Sequence, residues 1–132
     1  MDAGTNESCA RAHCVADAAL RRLGYEIVVP FEFELGLGAA ALSQVTKAEG
    51  GFTILAANVT SKTPGLLAPT RVVEAGGLRF GLVGLVDPAV KGTLSRRVLG
   101  DWTFEDPVAA ASREVQKLRL AGVDAVFALS NL

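Results

Sequence analysis

Along this chain of 132 residues the spacing of apolar positions changes several times, and each change marks an element. The densest stretch is Thr70 to Pro88, TRVVEAGGLRFGLVGLVDP. Its second half, Phe80 to Val86, has too few polar positions for a strand wetted on one face, so a strand covered on both faces is expected. Gly76 and Gly77 supply the left-handed backbone of a tight reversal, which predicts a hairpin between strands at 70–75 and 78–86. Asp87-Pro88 ends the second strand, because proline has no N–H to give a ladder.

Upstream the period is helical. Ala12, Val15, Ala16, Ala19, Leu20 and Leu23 fall on one stripe and His13, Asp17 and Arg21 on the other side, predicting a helix over 10–23 that Gly24 stops. A second helix is predicted over 38–48, its apolar face built from Ala41, Leu42 and Val45. A third, over 106–121, starts at Asp106-Pro107, which has N-cap and N1 chemistry, and buries Val108, Ala111, Val115 and Leu118. Further strands are predicted at 25–30, 52–59 and 123–129. Thr60–Pro69 and Ala89–Asp101 read as connections, neither long enough to link two domains. Strands alternating with helices imply an α/β fold, a mixed, largely parallel sheet arrangement flanked by helices, in a single domain over 1–132.

Composition narrows the function classes. Half of the residues are hydrophobic, which suits a buried core rather than a disordered chain. The formal net charge is −1 and the only paired basic residues are Arg21-Arg22 and Arg96-Arg97, so nucleic acid is not an expected partner. No apolar run approaches the roughly 20 residues of a spanning helix, and MDAGTNES is not a basic segment leading into an apolar one; no membrane partner is expected, and localisation stays unknown.

Candidate chemistry is sparse. Cys9, His13 and Cys14 form C-x₃-H-C, which is not a recognised zinc spacing and lacks a fourth ligand; reduced thiols on a helix are the expectation. Gly36-Leu37-Gly38 precedes a helix, yet lacks the lysine of a phosphate-binding loop and reads as a helix start. With one histidine and no G-x-S-x-G, a Ser-His-Asp triad has no basis.

The order of short motifs resembles the nucleotidase branch of the calcineurin-like metallophosphoesterases, a family of αββα hydrolases that includes the 5′-nucleotidases. Leu23-Gly24-Tyr25-Glu26 resembles the step before the family's G-N-H-E motif, and Glu32 to Gly36 the residues after it. Ala56 to Val59, Gly77 to Gly84, Trp102 to Pro107 and Ala128 to Leu132 resemble its next strand end, its central hairpin, the start of its following helix and its S-H-L-G strand. The resemblance implies a two-metal hydrolase, whose ions stand about 3.5–4 Å apart. It places the bridging aspartate on Thr5, the ligand asparagine on Pro30, the catalytic histidine on Phe31 and the S-H-L histidine on Asn131. Glu32 alone keeps its identity from the central motif. The resemblance further implies that the first metal motif precedes Met1 and that the last metal motif and the nucleoside-binding domain follow Leu132. The domain is thus expected to be incomplete, with no catalytic residue, no metal at Thr5, Pro30 or Asn131, no cofactor, and little ground for nucleotide binding. Family members are often periplasmic or extracellular.

Three readings follow: a degenerate metallophosphoesterase-like domain that has lost dimetal hydrolysis; a piece of a divergent, active 5′-nucleotidase-like phosphohydrolase; or a non-catalytic binding or assembly module using the former cleft around Pro30, Phe31 and Phe33. A sheet left open at its edge also predicts self-association.

Overall fold

The computed structural model describes Gly24, residues 26–48 and residues 53–132. The helix expected over 10–23 lies outside the described residues, as do Thr5, Cys9, His13 and Cys14. In chain order the elements are β1 (Ile27–Val28), α1 (Glu32–Gly36), α2 (Ala39–Ala48), β2 (Thr53–Leu55), β3 (Val59–Ser61), β4 (Leu67–Ala68), β5 (Thr70–Ala75), β6 (Leu78–Leu85), a 3₁₀ turn (Pro88–Thr93), α3 (Arg96–Leu99), β7 (Trp102–Phe104), α4 (Pro107–Leu120) and β8 (Ala125–Ser130).

The predicted hairpin is present. Gly76 and Gly77 have φ of 60° and 79°, the double left-handed geometry of a two-residue hairpin turn, and Ala75 pairs with Leu78 across it. β8 joins the other side of β6 in parallel, so this sheet runs β5-β6-β8 with one antiparallel and one parallel contact. A second sheet, β1-β2-β4, is wholly parallel. The mixed α/β class read from the sequence is the class observed.

Gly84 is where the two sheets meet. Its carbonyl accepts from the Ala57 N–H at 2.7 Å and its own N–H donates to the Pro69 carbonyl at 3.4 Å. A Cβ at this position would stand 2.2 Å from the Leu55 carbonyl oxygen, so only glycine allows the backbones this close. The C-terminal half of β6 is consequently covered on both faces, as its composition predicts. Val83 and Leu85 pack with Ala57, Ala110 and Leu118, whereas the following Val86 belongs to the larger cluster around Leu35, Leu42, Ile54 and Trp102.

Four expectations require correction. The run 52–59 is not one strand: it ends at Leu55, turns through Ala56–Asn58 and resumes as β3, which leaves the sheet to pair antiparallel with β7. The connection 60–69 therefore contains strand residues, and β4 within it completes the parallel sheet. The connection 89–101 is largely helical, with the Asp87 carboxylate accepting from the Ala89 N–H at 2.9 Å to start the 3₁₀ turn. The strand over 25–30 is reduced to Ile27–Val28, and its chain leads into α1. Here the Phe31 N–H donates to the Glu34 carboxylate at 2.9 Å, a local bond that rewards a helical turn directly after Pro30.

α4 starts as expected, with the Asp106 carboxylate accepting from the Ala109 N–H at 2.9 Å and Pro107 in the first turn. Three of the four positions of the predicted stripe face the core: Leu118 is buried, and Ala111 and Val115 pack half-buried against the same cluster. The row facing the sheet is Ala110, Glu114 and Leu118, and Val108 is left 69% exposed. Leu118 sits on Gly81, where a Cβ would come within 2.8 Å of its Cδ1.

Candidate functional site

Strand ends are where a parallel α/β sheet gathers chemistry, because chain reversals there leave backbone groups and side chains free of the ladder. The ends of β1, β6 and β8 converge. Asn131, just past β8, donates from Nδ2 to the Pro30 carbonyl at 3.0 Å and accepts at Oδ1 from the Asp87 N–H at 2.9 Å. Its own N–H donates to the Leu85 carbonyl at 3.3 Å. One planar amide thus fastens three strand ends.

Asn58 makes a second such tie deeper in the molecule. It is 1% exposed; its Oδ1 accepts from the Val86 N–H and its Nδ2 donates to the Val86 carbonyl, both at 2.8 Å, with a longer bond of 3.4 Å to the Glu105 carbonyl. An asparagine side chain mimics a strand backbone here, satisfying both polar groups of a residue that would otherwise be buried without partners.

Of the positions singled out by resemblance, the structure brings Pro30 and Asn131 into hydrogen-bond contact. Pro30 is fully buried, Phe31 is 41% exposed and Glu32 is exposed on the first turn of α1. Thr5 lies outside the described residues. The stretch Gly36 to Gly38 precedes a helix, as read, but it also ends α1, so it is the junction between two helices. The Ala39 N–H at the beginning of α2 donates to the Asp101 carboxylate at 3.0 Å, so this side chain occupies the place a phosphate would need.

A metal pair does not fit the donors described at the strand ends. The side chains of Pro30 and Phe31 carry no ligating atom, the Asn131 oxygen is engaged by the Asp87 N–H, and Asp87 caps the 3₁₀ turn. Among the described residues no three His, Cys, Asp or Glu side chains converge to hold an ion.

Two polar residues escaped the sequence reading. Asn58 sits inside an apolar run, and its interruption of ILAANV is the available signal. Glu114 is 5% exposed on the buried row of α4, where an acid between Ala110 and Leu118 at four-residue spacing is the signal. It pairs with Arg113 at 3.0 Å and Lys117 at 3.4 Å, and Arg113 also binds Glu105 and donates to the Ala57 carbonyl at 3.3 Å. The hydrogen bond to Glu105, then that to Glu114, raises the Arg113 pKa above its ordinary value.

No protein-family model matches the chain. The 5′-nucleotidase of Mus musculus is 29% identical over 118 residues, covering 83% of this chain and 20% of the mouse protein. That of Bos taurus is 28% identical over 121 residues, with 85% and 20% covered. Among solved structures, the 5′-nucleotidase precursor of Thermus thermophilus aligns with a TM-score of 0.76 at 31% identity, covering 89% of this chain and 24% of that one. The chain belongs to the calcineurin-like metallophosphoesterases, on their 5′-nucleotidase branch. It spans about a fifth of the length of the curated relatives it matches. The calcineurin-like phosphoesterase YfkN of Bacillus subtilis shares the metallophosphoesterase fold, with a TM-score of 0.72 at 22% identity over 86% of this chain and 37% of that one.

Proposed function

We propose that this chain is a 5′-nucleotidase-like metallophosphoesterase scaffold that has lost dimetal phosphomonoester hydrolysis. The observation that supports this reading is the Asn131 tie. Hydrolysis through a metal pair needs anionic, amide and imidazole donors converging on an open cleft. At the described strand ends the amide of Asn131 is directed instead at the backbone of Pro30 and Asp87. Phe31, in the position that resemblance gives to a catalytic histidine, has no proton to transfer; losing such a group costs a factor on the order of 10²–10⁴ in rate. What the chain's own residues do is hold three strand ends together.

The competing reading takes its support from the relatives, which are named as 5′-nucleotidases; on that reading the chain is part of a divergent hydrolase. One experiment separates the two. The purified chain is titrated with Mn²⁺ and with Zn²⁺ by calorimetry, then incubated with nucleoside monophosphates and either metal while released phosphate is measured. The degenerate reading expects no two-equivalent metal site and no turnover above background. Phosphate release that Asn131→Ala abolishes, in a variant that remains folded, would replace it with the hydrolase reading.

A further inference from the structure

A cleft of about 340 Å³ lies between α4 and the segment from β3 to β4, and none of Pro30, Asn58, Asp87 or Asn131 lines it. Its apolar floor includes Ala57 and Leu67, its rim carries the hydroxyls of Thr60 and Thr63, and one wall is formed by Arg113, Glu114 and Lys117. Glu114 is the unusual member. A carboxylate only 5% exposed is costly unless its lone pairs are matched. Its Oε1 accepts from both Arg113 Nε and Lys117 Nζ, but Oε2 has no hydrogen-bond partner among the described residues. Glu114 is one of the residues that line the cleft.

We infer that this cleft binds a neutral, polyhydroxylated ligand about the size of one sugar ring. Charge decides the class. Arg113 is engaged by Glu105, Glu114 and the Ala57 carbonyl, and Lys117 by Glu114, so two cations face two carboxylates and the cleft attracts neither an anion nor a cation strongly. A hydroxyl suits what is left, because it donates and accepts at one atom: it gives its proton to Glu114 Oε2 and takes one from Lys117 Nζ, which has further N–H groups to offer. The C–H face of a sugar ring covers Ala57 and Leu67 while its hydroxyls meet Thr60 and Thr63. A volume of about 340 Å³ is at the low end of the roughly 300–1,000 Å³ of ligand sites, which suits one ring rather than an extended molecule. The inference does not depend on whether the strand-end cluster is catalytic.

The test is a titration of the ¹⁵N-labelled chain with D-glucose, D-galactose and D-ribose in turn, followed through amide shifts. At least one sugar is expected to give saturable shifts at Thr60, Thr63, Glu114 and Lys117, with a dissociation constant on the order of 1 mM for a handful of hydrogen bonds. Glu114→Gln is expected to weaken that binding about tenfold, since a bond to a charged acceptor is lost. Because this change disturbs a buried ion pair and can unfold the chain, Lys117→Ala is the second variant. Its side chain is 65% exposed, and its loss is expected to weaken binding about threefold or more with the remaining spectrum unchanged. The inference is overturned by an absence of saturable shifts with all three sugars, by a folded Lys117→Ala that binds as the parent does, or by inorganic phosphate shifting the same amides at lower concentration than any sugar.

Discussion

Asn58→Ala is the substitution whose effect follows most directly from the geometry. The side chain is 1% exposed and serves both the N–H and the carbonyl of Val86, itself 0% exposed. Alanine removes both partners from these buried groups. Each buried backbone group left unsatisfied costs about 1–3 kcal/mol, so the pair should cost about 2–6 kcal/mol. That is a large share of the roughly 5–15 kcal/mol that holds a typical domain folded. The assay is guanidinium unfolding followed by fluorescence of Trp102, the only tryptophan. This residue is 5% exposed, donates from its indole N–H to the Leu35 carbonyl at 3.0 Å and sits in the same core cluster as Val86. The midpoint should fall while the slope with denaturant stays unchanged, because the surface exposed on unfolding is nearly the same. Asn58→Asp is the control. It keeps an acceptor for the Val86 N–H but turns a lone pair toward the Val86 and Glu105 carbonyls, and it should destabilise at neutral pH at least as much as alanine. A loss under about 1 kcal/mol for alanine would refute the claim that these bonds are what closes the β2–β3 turn onto β6.

Two further expectations rest on other parts of the fold. Gly84→Ala should prevent folding, since its Cβ would lie 2.2 Å from the Leu55 carbonyl oxygen and neither backbone has slack to yield; soluble protein with the parent's far-ultraviolet dichroism would contradict the sheet junction described. Self-association is expected through β8, an uncharged strand (AVFALS) that among the described residues pairs on one side only, with β6, and whose Phe127 is 52% exposed. Sedimentation should show concentration-dependent mass that Ala128→Lys reduces, and a parent chain that stays monomeric over a wide concentration range would count against it.

What was legible in the sequence was local. The β5–β6 hairpin follows from two adjacent glycines between apolar runs, and the start of α4 from an aspartate-proline pair, so each signal lies within a few residues of the feature it specifies. The β3–β7 ribbon has no such signal. Its strands are three residues each and far apart in the chain, and the register Val59↔Phe104 to Ser61↔Trp102 is an outcome of packing. The division of 52–59 was hidden for the same reason. An apolar run reads as one strand until it is known that Asn58 must reach Val86, 28 positions away, and Glu105, 47 away. The close seating of Leu118 on β6 depends on the missing Cβ at Gly81, a matter of volume that no helical periodicity encodes.

The strand-end cluster divides along the same line. Resemblance alone located Pro30 and Asn131 as related positions, and the structure joins them by a hydrogen bond spanning 101 positions. What the sequence could not convey is what the asparagine does there. The Pro30 carbonyl needs a donor and the Asp87 N–H needs an acceptor, and an amide presents one of each about two ångströms apart on a rigid plane. A carboxylate offers acceptors only and would leave the Pro30 carbonyl facing like charge. Asparagine is therefore matched to the backbone of its neighbours rather than to an ion, whose carboxylate and imidazole ligands must instead be left free to converge. The degenerate reading thus draws its support less from the absence of histidine at this position than from the use to which both ends of the replacing side chain are put.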